Sequence, residues 1–439
     1  MPDHAQSDSP AVQSQLDRFA QLSPGRDVLG LERIAALMNA LGNPHQKLPP
    51  VFHVSGTNGK GSTCAFLRAA IEAAGMSAHV YTSPHLVRFN ERIRVAGKLI
   101  EDEALAPLLA EVLDAAEKHD IGPSFFEATT AAALLGFSRT PADACILEVG
   151  LGGRLDATNI VERPAVCGIS SLGIDHESFL LTPEDGTPDD PLTRIGWEKA
   201  GIAKAGAPLV VGHYPAAVNA IIADHAATVS APLLARKKDW DAAIYEGRIA
   251  YRDAKGALKL PLPRMAGLHQ ADNAALAIAM LRHQSAIQIP EAALAAAMEW
   301  TLWPARLQLL EQGPLADTLA AETEIWLDGG HNVGAGKALA EHFGSAAENS
   351  LHLIIGMLAG KDPAAIVAPL NGKLASITVL PVTGHAHHEV EAFGSNARQA
   401  GDLHEALKSL AIKPGELVLI AGSLYLAGEA LLANGQLPD

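Results

Sequence analysis

V-F-H-V-S-G-T-N-G-K-G-S-T, from Val51 to Thr63, decides how the rest of this chain reads. An apolar, strand-like run enters a turn with Gly56, Gly59 and Gly61 around Lys60, and then the hydroxyls of Ser62 and Thr63. A helical stretch, C-A-F-L-R-A-A-I-E-A-A-G, follows. Glycines let the backbone curl until several N–H groups face one point. The helix N-terminus adds unpaired donors and a positive partial charge. Lys60 brings a full charge for outer phosphates, and the hydroxyls can serve phosphate or Mg²⁺. Gly56, Thr57, Asn58, Gly59, Lys60, Gly61 and Ser62 therefore read as a phosphate-binding loop. The stretch departs from G-x-x-x-x-G-K-[ST]: Val54 stands at the first glycine, and Gly61 follows the lysine. The competing reading is a glycine-rich strand–helix turn with an incidental lysine.

Outward from the loop, short apolar runs alternate with Ala-rich segments at helical spacing, the pattern of a parallel α/β sheet. Strands are predicted over 51–55, 78–81, 144–149, 166–171 and 208–212, and helices over 62–74, 126–137, 192–205 and 216–226. The front of the chain reads as a polar tail, then a helix over 29–41. The acidic, Pro-rich segment 178–191 reads as an exposed loop, and 242–251 as a hairpin turning at Glu246 and Gly247. A boundary falls at W-T-L-W-P-A-R-L (300–307), before a second α/β series with strands near 325–328, 351–355, 376–380 and 417–421. The fold class is α/β. A P-loop-type parallel-sheet ATPase domain is expected over 1–300, and a smaller Rossmann-like α/β domain over 301–439.

Composition narrows the function. Hydrophobic residues make up 48% and charged residues 19%, enough apolar material to exclude a mainly disordered chain. A formal net charge of −16 argues against general nucleic-acid binding, which rests on Lys and Arg. Cys64, Cys145 and Cys167 are too few and too scattered for a disulfide framework or a Cys-based zinc site. The first twenty residues lack the apolar centre of a signal peptide, and no run is long and apolar enough for a membrane span. A cytosolic monomer acting on small molecules, with no nucleic-acid or membrane partner, is expected.

Further motifs carry a family resemblance. S-P-H-L (83–86) and F-N-E-R-I-R-V (89–95) come first, then F-F-E-A-T-T (125–130) and L-E-V-G-L-G-G-R-L-D-A-T-N (147–159). D-H (175–176), E-K-A-G-I (198–202), H-Q-x-x-N-A (269–274), W-P-A-R (303–306), L-D-G-G-H-N (327–332) and G-S-L-Y-L-A-G-E (422–429) follow in order. With the G-T-N-G-K-G-S loop, this series resembles the dihydrofolate synthase/folylpolyglutamate synthase family, the folate branch of the Mur-ligase superfamily. The cell-wall ligases of that superfamily carry an extra N-terminal domain. Only about 50 residues precede the loop here, which favours the folate branch.

The resemblance implies an ATP-dependent amide ligase. A carboxylate takes the γ-phosphate of ATP, and the glutamate amine captures the acyl phosphate. The acid is dihydropteroate, a tetrahydrofolate, or both. Catalysis would involve Lys60, His176 and Lys199. Ser83, Glu148 and His176 would hold Mg²⁺, with two ions expected. Lys199 would be carbamylated by CO₂ and help hold the second. Carbamylation needs the neutral amine, so burial that lowers the lysine pKa would favour it. Asn273 would contact adenine, Arg306 the phosphates, and Asp328 and His331 the ribose or phosphates. Closure of the second domain onto the first would keep water from the acyl phosphate. Phe125, Phe126, Gly153 and Arg154 would line the folate site, where aromatic rings suit a flat pterin.

Blander readings stand beside these. Glu148 could form a strand-end salt bridge, His176 could be an ordinary loop histidine, and Lys199 a surface partner of Glu198. Asn273 could be an internal helix cap, and each Phe a core residue. Arg88, Arg92 and Arg94 could attract substrate carboxylates or form a solvated strand face. G-H-A-H-H, with His385, His387 and His388, reads as a polar loop. W-P-A-R and L-D-G-G-H-N depart slightly from the family's W-P-G-R and its Ala before the histidine. At the level of the whole chain, a Mur-type ligase for another acid and a P-loop ATPase module remain as alternatives.

Overall fold

The computed structural model describes residues 6–22, 29–182 and 184–439. The chain divides into two compact units: Met1–Arg264 with Ala271–Thr301, and Met265–Gln270 with Leu302–Asp439.

In the first unit the strands β1 (Val51–Ser55), β2 (Ala78–Tyr81), β3 (Ile93–Val95), β4 (Lys98–Leu99), β5 (Ala144–Glu148), β6 (Val166–Ile169), β7 (Leu209–Val211) and β8 (Leu233–Ala235) form one sheet. Its order is β4-β3-β2-β5-β1-β6-β7-β8. From β2 to β8 every pairing is parallel, while β3 and β4 form an antiparallel hairpin at one edge. Every residue of β1 is buried. That matches its apolar sequence, since parallel strands are covered on both faces. The carboxyl ends of β5, β1 and β6 lie side by side, where open α/β sheets bind ligands. The helix His269–His283 packs close to β6. A Cβ on Gly168 would lie 2.3 Å from Met280 Sδ, so glycine is what permits the approach.

The hairpin predicted over 242–251 is part of a three-stranded antiparallel sheet: β9 (Trp240–Tyr245), β10 (Arg248–Asp253) and β11 (Gly256–Pro261). Glu246 and Gly247 turn it with φ of 50° and 68°. Two consecutive left-handed residues are what a tight two-residue hairpin needs.

The second unit holds β12 (Gln308–Leu309), β13 (Ile325–Leu327), β14 (Leu351–Ile355), β15 (Leu374–Val379), β16 (Arg398–Gln399) and β17 (Leu417–Ala421). Their order is β12-β13-β17-β14-β15-β16, parallel throughout except for β12. Leu339, Phe343, Leu351, Leu353, Ile355 and Leu419 belong to its own apolar core. The mixed α/β class expected from sequence is what both units show. Among the described residues, no helix is long and apolar enough to cross a membrane. All three cysteines are free and buried.

Two readings need correction. The polar tail contains a helix, Pro10–Leu22. Val12, Leu16 and Phe19 point inward at helical spacing and join the core of the first unit; residues 1–5 and 23–28 lie outside the described residues. Of Arg88, Arg92 and Arg94, read as a possible solvated basic face, Arg88 is exposed and Arg94 half-buried, but Arg92 does not fit it. Arg92 is fully buried, donates from Nε to His85 Nδ1 at 2.8 Å, and lies over the rings of Phe89 and Phe125. Segment 178–191 is largely exposed, as expected, and begins in the short helix Glu177–Leu180; Pro183 lies outside the described residues.

The N-terminal helix gives a direct test. Phe19→Ala should destabilise the first unit by about 3–5 kcal/mol, the cost of emptying a packed aromatic site. A dispensable tail predicts no change in the urea midpoint.

Candidate active site

The loop after β1 is shaped by two glycines. Gly56 has φ +146° and Gly59 φ +84°. A Cβ on Gly56 would fall 1.8 Å from Ser170 Oγ, and one on Gly59 would fall 2.2 Å from Asn273 Oδ1. The loop thus packs against the end of β6 on one side and the Asn273 amide on the other. Hydrogen bonds fix this seat. Thr57 N donates to Ser171 O at 2.8 Å, and Ser170 Oγ donates to Asn58 O at 2.7 Å. Thr57 Oγ1 donates to Gly173 O and accepts from Gly173 N, at 2.9 and 3.1 Å. The predicted strand over 166–171 stops at Ile169 because Ser170 and Ser171 turn to hold the loop.

Lys60 opens the following helix, Lys60–Ala73, and its Nζ reaches Thr57 O at 3.3 Å. Gly61, Ser62 and Thr63 are buried in the first turn. Thr63 Oγ1 is buried with no hydrogen-bond partner.

Lys199 lies at the end of the helix Pro191–Ala200 and is buried. Its Nζ donates to Gly56 O at 2.8 Å. Burial first, then the neighbouring Lys60 charge, lower its pKa from 10.5 to about 7, against the opposing pull of Asp175, Asp156 and Glu198. The neighbouring Glu198 is engaged elsewhere. Arg154 Nη2 and Nε reach Glu198 Oε1 at 2.8 and 3.2 Å, and Arg154 N donates to Glu198 O at 2.9 Å. Gly153 seats this contact, since its Cβ would meet the carbonyl oxygens of Glu198 and Lys199 at 3.0 and 3.1 Å. The loop 150–154 therefore holds the helix end that carries Lys199.

Glu148 is the last residue of β5, paired in register with Val54, and is buried. Ser83 N donates to its Oε2 at 3.1 Å. His176 is exposed, with φ 54°, beside Asp175. Two carboxylates of this region had no role assigned from sequence: Asp175 and Asp156. Asp156 is buried and accepts from Leu151 N, Thr158 N and Thr158 Oγ1. Burial raises its pKa against those hydrogen bonds. The D-A-T spacing, typical of a side chain that bonds the backbone two residues on, was the signal available.

Phe125 is 9% exposed and packs against Phe19 and Phe89. Phe126 is half-buried, and its ring covers Gly150, where a Cβ would fall 2.4 Å from Cζ.

In the second unit, Asp328, Gly329, Gly330 and His331 follow β13. Asp328 Oδ2 accepts from Leu307 N at 2.8 Å, and Oδ1 accepts from Gly330 N at 2.7 Å. Asp328 thereby fastens the segment that bears Arg306. A Cβ on Gly329 would lie 3.1 Å from Arg306 Nη1. His331 Nδ1 donates to Gly329 O at 3.0 Å. Ala305, at the W-P-A-R position, has φ 56°, a conformation that favours glycine. In the G-H-A-H-H loop, His387 Nδ1 bonds His385 O at 2.8 Å and the His385 ring lies 4.0 Å from that of Tyr425.

Among the described residues, no three His, Cys, Asp or Glu side chains cluster to hold a metal ion. A hard ion that uses one carboxylate and takes its other ligands from substrate phosphates and water still fits, because Glu148 supplies carboxylate oxygens at the carboxyl end of β5, next to the end of β1.

No family model matches the chain. The dihydrofolate synthase/folylpolyglutamate synthase of Escherichia coli is 36% identical over 358 residues, covering 81% of this chain and 78% of that protein. The enzyme of the same name from Bacillus subtilis is 32% identical over 426 residues, 90% of this chain and 93% of its own. Among solved structures, the Escherichia coli enzyme in complex with DHPP and ADP superposes with a TM-score of 0.84 at 32% identity, over 97% of this chain and 98% of that one. A bifunctional folylpolyglutamate synthase/dihydrofolate synthase with Mn, AMPPNP and L-glutamate bound superposes with a TM-score of 0.83 at 31% identity, over 98% of both chains.

The buried lysine makes stability depend on pH. Between about pH 7 and 10.5 the unfolded chain holds a proton on Lys199 that the folded chain lacks, so stability rises with pH across that window. The burial penalty is complete below it. Replacing Lys199 by Met removes the dependence. From pH 6.5 to pH 10 the wild type should gain on the variant by of order 4 kcal/mol. Parallel denaturation curves at the two pH values would contradict a buried, perturbed amine.

Proposed function

The chain belongs to the dihydrofolate synthase/folylpolyglutamate synthase family, and from that premise we propose that it joins L-glutamate to dihydropteroate, to reduced folates, or to both, at the expense of ATP. The observation that carries the reading is the convergence of a glycine loop, two lysines and one buried carboxylate at the carboxyl ends of β1 and β5.

Two anions must meet for this reaction to begin, so positioning and charge neutralisation dominate the barrier. Loop amides other than those of Thr57 and Asn58, which bond Ser171 O, and the Lys60 ammonium cradle the phosphates. An oxygen of the acid's carboxylate bonds to the γ-phosphorus as the bond to ADP breaks. The glutamate nitrogen then bonds to the acyl carbon, and phosphate departs with the acyl oxygen. Ser83, Glu148 and His176 would hold Mg²⁺, which when bound neutralises phosphate charge. Unmodified Lys199 is a poor metal ligand. A pKa near 7 leaves much of it as neutral amine at physiological pH, the form that takes up CO₂. We assign a carbamate there and a second ion beside it.

Asn273, held against Gly59, is assigned to the adenine, and Arg306, Asp328 and His331 to the phosphates and ribose. Phe126 and the 153–154 loop are assigned to the pterin acid, with Phe125 supporting them from the core. Residues 1–300 would form the nucleotide- and folate-binding domain and 301–439 the glutamate-ligase domain. Three free, buried cysteines suit a reducing compartment, and we place a monomeric enzyme in the cytosol.

Phosphate release with ATP, Mg²⁺ and glutamate should depend on adding dihydropteroate or tetrahydrofolate. Glu148→Gln should cut that rate by about a hundredfold or more. ATP hydrolysis indifferent to both acid and glutamate would point to a nucleotide switch instead. With ¹³C-bicarbonate, a carbamate resonance should appear in the wild type and vanish in Lys199→Met. Identical spectra would remove the carbamate from the account.

A further inference from the structure

Segment 178–191 is where the sequence motifs left a gap, and its side chains converge on a pair of arginines. Trp197 lies between them: the Arg154 guanidinium is 4.5 Å from its ring centre and that of Arg194 is 5.5 Å away. Glu184 bridges both, 2.7 Å from Arg154 Nη2 and 3.3 Å from Arg194 Nη2. Arg194 also bonds Thr182 O at 3.2 Å and the Thr187 hydroxyl. Arg194 is 5% exposed, and its Nε is buried with no hydrogen-bond partner. The cluster is thus a built anion seat of two guanidiniums braced on one indole, with a carboxylate of the chain itself in it.

The two carboxylates on Arg154 differ in kind. The Glu198 side chain is 5% exposed and that of Glu184 is 48% exposed. Breaking a buried pair strands a charge, whereas an exposed pair is screened by water and contributes little. Glu198 is therefore the permanent partner and Glu184 the exchangeable one. Two guanidiniums recognise planar carboxylates well, because each can offer two N–H groups to one anion.

We propose that the Arg154–Arg194 pair is a subsite for an α-carboxylate on the glutamyl tail of the acid substrate, and that Glu184 occupies it until such a tail arrives. The inference rests on the assignment of the 153–154 loop to that substrate. An internal competitor raises the apparent Kd by the inverse of the fraction of time it leaves the site free. It does so only for substrates with a tail. Dihydropteroate, whose single carboxylate is the reacting one, should be blind to it.

Steady-state kinetics of Glu184→Gln with dihydropteroate and with tetrahydrofolate tests this. KM for tetrahydrofolate should fall about two- to fivefold, with kcat and the dihydropteroate KM unchanged. Glu184→Asp keeps the charge and should stay near the wild-type KM, which controls for disturbance of the segment. A tetrahydrofolate KM that is unchanged or raised in Glu184→Gln would overturn the proposal, as would an equal fall for both acids. If the enzyme uses only tetrahydrofolate, non-reacting pterin-acid competitors with and without a glutamyl tail replace the pair, read as inhibition constants with the same expected split. If the wild type forms no amide with any acid, the functional assignment fails instead.

Discussion

A lysine amine held in the protein interior against the Gly56 carbonyl is the constraint around which the first unit is organised. Burying it beside the Lys60 charge lowers its proton affinity, and the structure keeps both side chains where several elements meet. The glycine loop fits against Ser170, the helix end fits against Gly153, and Gly201 fits so tightly on Arg154 that a Cβ there would lie 2.4 Å from the arginine Cβ. Each contact depends on a missing side chain. The loop backbone and the Lys60 charge at the strand ends are thus set in place before any ligand binds, as an anionic substrate requires.

The second unit repeats the logic with different parts. A parallel strand ends, glycines follow, and a carboxylate turns back to grip the incoming backbone. Both oxygens of Asp328 are committed to main-chain N–H groups. Its structural work is to shape the segment around Arg306, whatever else it touches. The left-handed Ala305 beside it shows that this bend is maintained even where the residue has a Cβ.

Much of this was legible in the residues. β1, β2, β14 and β17 begin and end where their apolar runs do. The hairpin at Glu246 and Gly247 was announced by its turn residues. Failures came where tertiary contacts override local pattern. Val12, Leu16 and Phe19 are too sparse in a polar stretch to signal a helix, until a core is present to receive them. The buried state of Arg92 depends on two phenylalanines, one of them from a distant helix. Lys199 was recognisable by its motif, but its lowered proton affinity comes first from burial and then from the Lys60 charge, which no local window contains. Thr57 read as a phosphate contact, yet its hydroxyl is engaged with Gly173 across more than a hundred residues of sequence.

The chemical core of the account is that the acid's own oxygen attacks the nucleotide. An acid substrate labelled with ¹⁸O in its carboxylate, turned over with ATP and glutamate, measures this directly by mass spectrometry of the liberated phosphate. One labelled oxygen should appear in each phosphate released. Phosphate carrying no label, alongside normal amide formation, would contradict the account.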